Sequence, residues 1–165
     1  MNLADVLSNA VEPALRLLPP HMDSPKARVM MLAIGLQESR FRHRKQLGGG
    51  PANSFWQMER RGGVAGVCRH PMSRDLMRKV CTALDCEFDI TAVWERLATD
   101  DVLGAAAARL LLWTDAAPLP EIGQAQQAWD YYQRVWRPGK PHPETWHALY
   151  VQALDAVQPP PEGNP

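Results

Sequence analysis

The stretch Met30–Glu59, MMLAIGLQESRFRHRKQLGGGPANSFWQME, decides how the rest of the chain is read. It runs from an apolar helix through a basic, glycine-rich turn into a short polar-aromatic segment. Ser24 and Pro25 mark the start of that helix. The hydroxyl can accept an orphan N–H, and a proline in the first turn loses nothing by lacking one. Val29, Leu32, Ala33 and Leu36 recur at helical spacing, and Met30, Ile34 and Phe41 fall close together with Glu38 on their side. A helix apolar over most of its circumference belongs in the middle of a helical protein. A carboxyl at its end is then partly desolvated. Desolvation raises the pKa, so a glutamic acid there can keep its proton near neutral pH and serve as a general acid. The plainer alternative is an ion pair between Glu38 and Arg40, Arg42 or Arg44.

Downstream, Arg42–Gln46 (RHRKQ) is a burst of positive charge. It suits either a solvated helix C-terminus, where cations favour the dipole, or a lip that holds an anionic or polar polymer near Glu38. Gly48-Gly49-Gly50-Pro51 breaks all regular structure. No strand precedes this run and no Lys-Ser/Thr follows it, which argues against a nucleotide-binding loop. In Asn53–Glu59 polar and aromatic residues alternate. The alternation predicts a short strand or extended segment lining a cleft, with Gln57 and Glu59 on one face.

Composition sets outer bounds. A chain of 165 residues is enough for one compact domain and short for two. Its formal net charge of zero argues against strong capture of nucleic acid. Six tryptophans against three phenylalanines hint that some aromatics line a groove rather than the core. The three cysteines, Cys68, Cys81 and Cys86, do not make a disulfide framework, although Cys81 and Cys86 could pair. With His70 they invite a zinc reading, but the spacing fits no common pattern. Neither a metal nor another cofactor is expected. The first residues lack the basic and apolar regions of a signal peptide, and no run is long enough to span a membrane.

The remaining elements are also helical. Asn2–Leu18 reads as an amphipathic helix that Pro13 kinks or divides. Ser73–Leu84 is expected as a helix capped by Ser73, and Ile90–Leu97 as one capped by Asp89. Asp100 or Asp101 caps an alanine-rich helix, apolar nearly all round and so expected at the buried centre. Glu121–Val135 and Pro143–Val157 complete the set. The class is mainly α, with at most a small β-hairpin or extended segment near residues 48–60. Residues 1–158 are expected as a single helical domain and 159–165 as a flexible, proline-rich tail.

The order of these pieces resembles the lytic transglycosylases of the lysozyme-like superfamily. Glu38-Ser39-Arg40-Phe41 is similar to their first motif, Glu-Ser-x-Phe, at the end of a buried helix. Ser54-Phe55-Trp56-Gln57 stands where the family has Gly-Leu-Met-Gln and keeps only the glutamine. Gly104–Leu112 resembles the alanine-rich helix of the third motif. Tyr131 or Tyr132 would supply the tyrosine of the fourth, whose asparagine is replaced by Gln133. Size and the Trp-Arg-Pro-Gly-Lys-Pro break also resemble phage or prophage lysis and tail-associated proteins.

The resemblance implies a lysozyme-like domain that cleaves the β-1,4 bond between N-acetylmuramic acid and N-acetylglucosamine in peptidoglycan. Glu38 would protonate the glycosidic oxygen. Ser39 would orient it or a substrate group, Gln57 would hydrogen-bond a sugar, Phe55 and Trp56 would pack on sugar faces, and Tyr131 or Tyr132 would approach the carboxyl. The partners implied are glycan strands and other phage particle proteins. The protein would be made in the host cytoplasm and act at the cell wall or within the virion. One carboxylate suffices for a transglycosylase, because the sugar's own hydroxyl closes an anhydro ring. A hydrolase needs a second, and Glu59 is the candidate. Two other classes stay open. One is a non-catalytic phage structural or assembly protein that retains the fold. The other is a nucleic-acid binder using Arg40, Arg42, Arg44, Lys45, Arg60 and Arg61.

Overall fold

The computed structural model describes residues 1–158, and the expected tail at 159–165 lies outside the described residues. The protein is mainly α, with one two-stranded antiparallel sheet among the described residues. Its first segment is α1 (Leu3–Val6), a π-helical turn (Leu7–Val11) and α2 (Glu12–Arg16) in unbroken succession. Pro13 therefore causes no break. The wider turn just before it, closed by Glu12 N–H to the Leu7 carbonyl, shifts the register so that Pro13 falls in the first turn of α2.

Helix α3 (Pro25–Ser39) begins as its sequence predicts, with Ser24 Oγ accepting from Ala27 N–H at 3.2 Å. Every residue from Val29 to Leu36 is buried. Its most extensive packing is against α9 (Pro143–Val157), whose Trp146, Leu149, Tyr150 and Ala153 are buried. Helix α7 (Asp101–Trp113) is the other buried axis. Asp100 Oδ1 accepts from Leu103 N–H at 2.9 Å, and Leu103–Leu112 are all buried. Gly104 lets α7 approach the hairpin closely: a Cβ there would lie 3.1 Å from Ser54 Cβ and 3.5 Å from the Trp56 ring.

Strands β1 (Ala52–Asn53) and β2 (Met58–Glu59) pair Ala52 with Glu59 and Asn53 with Met58. A π-helical turn (Arg60–Val64) leads into α4 (Ala65–Arg69), followed by α5 (Arg74–Ala83) and α6 (Ile90–Arg96). Asp89 caps α6 as expected, accepting from Thr91 and Ala92 N–H at 2.8 and 3.1 Å. Ser73 does not cap α5. Its hydroxyl is taken up by the Val67 carbonyl at 2.7 Å. Helix α8 (Ala125–Trp136) starts later than the sequence suggests, because Gly123 turns at φ 88° and gives its N–H to Tyr150 Oη at 3.1 Å.

Cys68, Cys81 and Cys86 are free thiols. Burial pushes Cys68 up to about 11 and Cys81 to about 12, as expected of inert, sheltered thiols. Among the described residues no group of three or more His, Cys, Asp or Glu side chains is placed to hold a metal ion. No helix among them is long and apolar enough to cross a membrane.

Candidate active site

Glu38 lies in the last turn of α3, and the chain reverses directly after it. Arg40 and Phe41 take φ of 55° and 53°, in the left-handed region, and the Phe41 ring folds back beneath Gly35. A Cβ on Gly35 would sit 2.2 Å from that ring, so only glycine admits this reversal. Ser39 ties the turn together from inside. Its Oγ donates to the Phe55 carbonyl at 2.7 Å and accepts from Phe41 N–H at 3.1 Å. Ser39 is 2% exposed. The role of orienting Glu38 or a substrate group, expected from the sequence, is thus replaced by one of joining helix end to hairpin.

The segment between the strands departs furthest from expectation. Ser54–Gln57 is a tight turn, not an extended run: Ser54 and Gln57 have φ of 71° and 49°, and Gln57 N–H donates to the Ser54 carbonyl at 3.1 Å. The turn tucks Phe55 and Trp56 into the core, where they are 2% and 0% exposed. Both meet Phe41 edge-on, at 5.5 and 5.7 Å between ring centroids, and Trp56 Nε1 donates to the Met31 carbonyl at 2.8 Å. Neither ring can pack on a sugar. They form a rigid backing for the helix end that carries Glu38.

Gln57 and Glu59 both line the groove beside Glu38. They do so from a turn and a strand end, not as alternate residues of one strand. The Gln57 side-chain amide donates to the Ser54 carbonyl at 2.8 Å, which fixes its head at the groove edge.

The two tyrosines of α8 diverge. Tyr131 is buried with its hydroxyl on the Leu112 carbonyl at 2.8 Å, so it is a packing residue and no part of the site. Tyr132 Oη donates to Glu38 Oε1 at 2.6 Å. Its phenol pKa is raised, by burial first and then by the neighbouring carboxyl, so it remains a donor.

Burial pushes the Glu38 carboxyl up to about 7, and the Tyr132 hydrogen bond offsets part of that rise. Among the described residues neither Arg42 nor any other cation forms an ion pair with it. Arg40 turns to the Leu36 and Gln37 carbonyls, and Arg44 pairs with Asp101 at 2.7 Å. The ion-pair alternative is therefore set aside. Glu38 has the environment of a carboxyl that exchanges its proton near neutral pH.

The groove itself has a volume of about 1420 Å³. Glu38, Gln57, Glu59, Tyr132 and Trp136 line it together with a cationic set, Arg61, Arg69, Arg137 and Lys140. Trp136 is half-buried, and its Nε1 donates to the Trp56 carbonyl at 3.0 Å. It is a groove-lining aromatic that the sequence reading passed over. The available signal was its spacing: Trp136 stands four residues after Tyr132, on the same helix face. Of the groove's cations only Arg61 belonged to the basic set singled out in the sequence; Arg69, Arg137 and Lys140 had no comparable signal, since they come from separate segments. No protein-family model matches the chain, and neither does any curated protein or solved structure.

Proposed function

We propose that this protein cleaves the β-1,4 bond between N-acetylmuramic acid and N-acetylglucosamine in peptidoglycan, by a route resembling that of the lytic transglycosylases. One observation carries the reading. A carboxyl pushed up to about 7, hydrogen-bonded by a buried tyrosine, opens on a groove of about 1420 Å³, room enough for several sugar units. The chain order that resembles the family's motifs, within a lysozyme-like domain, supplies the chemistry to place there.

In this reading Glu38 donates its proton to the glycosidic oxygen as the C–O bond breaks. The carboxylate left behind keeps the Tyr132 hydrogen bond, which steadies the new charge in a sheltered site. It then removes a proton from the sugar's own hydroxyl as that oxygen closes the anhydro ring. The carboxyl ends each cycle protonated. Trp136 offers an aromatic face to a sugar, and the head of Gln57 offers a polar contact. Glu59 in the same groove favours a second route, in which it assists water and the product is hydrolysed. The setting would be the bacterial wall, reached by a phage or prophage lysis or virion protein, with glycan strands and other particle proteins as partners.

The test is digestion of purified peptidoglycan by wild type and by Glu38→Gln, with products weighed by mass spectrometry. Anhydro ends from wild type and none from the variant are expected. Reducing ends that have gained water would reject transglycosylation and leave the Glu59 route. No soluble product from wild type would reject the enzyme and leave a structural phage protein that keeps the fold.

A further inference from the structure

A second hollow, of about 410 Å³, is lined by Arg60, Arg61, Ala65, Arg69, Ile90 and Thr91. Arg61, Ala65 and Arg69 also line the groove, so the two spaces adjoin across these side chains. Three of the six lining residues are arginines, and among the described residues none of the three makes an ion pair. Asp89, which caps the helix carrying Ile90 and Thr91, accepts from Thr91 and Ala92 N–H through Oδ1 and forms no ion pair with these arginines. Arg60 is held from two sides: its guanidinium lies 6.0 Å from the Trp94 ring centroid, and one of its nitrogens lies 3.5 Å from Thr91 Oγ1. The Trp94 ring is itself fixed by its N–H on the Pro51 carbonyl at 2.9 Å.

Like charges gathered round one hollow repel one another, and a chain with no net charge has no general excess of cations to explain the gathering. Guanidinium groups match planar oxyanions through paired N–H donors, and a hydroxyl adds a further donor. We propose that this hollow is an oxyanion subsite, filled by a carboxylate or phosphate group that hangs from the glycan strand bound in the groove. The proposal rests on the reading of the groove as a glycan site. It adds that the substrate is a substituted, anionic strand and not a bare sugar chain. Two sources carry the same chemistry: the carboxylates of the peptide stems and the phosphate esters of wall polymers attached to the glycan.

The experiment has a binding arm and a kinetic arm. In the first, arginine Nε–H resonances of wild type and of the double variant Arg60→Gln/Arg69→Gln are followed by NMR during titration with inorganic phosphate. Saturable shifts at Arg60, Arg61 and Arg69 in wild type are expected, with the remaining Arg61 shift weakened at least tenfold in the variant. Absence of saturable shifts in a folded wild type overturns the subsite, whatever the catalytic result. In the second arm, wild type and variant digest three strands: intact peptidoglycan, strands freed of phosphate by acid, and strands freed of peptide by an amidase.

The KM of wild type should rise about tenfold on whichever strand has lost the true substituent, and kcat should stay within about twofold. The variant should lose that discrimination. Loss with the peptide-free strand identifies the stem carboxylates, and loss with the phosphate-free strand identifies the phosphates. Equal KM on all three strands overturns the glycan-borne ligand. Phosphate binding by a protein that cleaves no peptidoglycan overturns the glycan reading and this ligand with it, while leaving an anion site. Tighter binding of duplex DNA than of either strand, lost in the same variant, would contradict the proposal in favour of nucleic acid.

Discussion

Glu38 and Tyr132 reach the groove from α3 and α8, among buried side chains, and there the carboxyl is pushed up to about 7. Glu59, Arg61 and Arg69 reach the same groove from the end of β2 and the segment after it, and all three are exposed. The two parts of the lining suit different work. The first can hold or release a proton, because desolvation has brought the two forms of one carboxyl close in energy. The second can attract charged groups but keeps its own charges solvated, so each contact there is weak and salt-dependent. Residue type alone does not separate a sheltered carboxyl from a rim carboxyl; the packing behind it does.

The sharpest way to break this contrast is to remove each carboxyl in turn. Glu38→Gln should lower kcat on peptidoglycan by about 1,000-fold, the middle of the range for a lost general acid, with a normal near-UV spectrum. Glu59→Gln should lower it by less than about tenfold. Comparable losses would show that both carboxylates take part in the chemistry and would favour hydrolysis.

Stability against pH gives the next largest effect. Below pH 4.5 Glu38 is protonated in both folded and unfolded chains and contributes no difference. As pH rises from 4.5 to about 7, the unfolded carboxyl gives up its proton while the folded one keeps it. The folded state then binds more protons, so stability falls with rising pH, and the loss is complete above about 7. At about 1.4 kcal/mol per pH unit the full loss is about 3 kcal/mol. Urea unfolding at pH 5 and pH 8 should therefore show wild type losing stability relative to Glu38→Gln over that interval. Parallel curves for the two proteins would mean the carboxyl is not sheltered.

Trp56→Phe probes the backing of the site. The smaller ring leaves a void and frees the Met31 carbonyl, at a cost of about 2 kcal/mol in chemical unfolding. KM for peptidoglycan should not change, because the buried ring does not line the groove. A raised KM with unaltered stability would return Trp56 to the groove. The smallest effect belongs to Tyr132→Phe. Losing a donor to the carboxylate favours the protonated acid, so the alkaline limb of the pH–kcat/KM profile should move up by about one pH unit. A downward move would contradict the assigned direction of that hydrogen bond.

Much of the fold was legible. Ser24, Asp89 and Asp100 announce their helices because a cap acts within three residues, and local chemistry can be read locally. Burial of α3 and α7 followed from apolar residues on all sides. Glu38 and its tyrosine were legible only as candidates, since the hydrogen bond joins residues 94 apart along the chain. The reading of Ser54–Gln57 failed for a related reason. Alternating polar and aromatic letters fit a strand, but the turn is imposed from elsewhere, by Ser39 holding the Phe55 carbonyl and by Gly104 leaving room for Ser54 and Trp56. Tyr131 and Tyr132 could not be told apart either. One step along a helix is about 100°, and only the neighbours decide which hydroxyl meets the carboxyl.

The proton on Glu38 can be observed without any substrate. Wild type carrying ¹³C-labelled glutamate is titrated by NMR, and the Glu38 Cδ resonance is assigned by its loss in Glu38→Gln. A midpoint of about 7 is expected. A midpoint near 4.5, the ordinary value for a solvated glutamate, would contradict the account at its root.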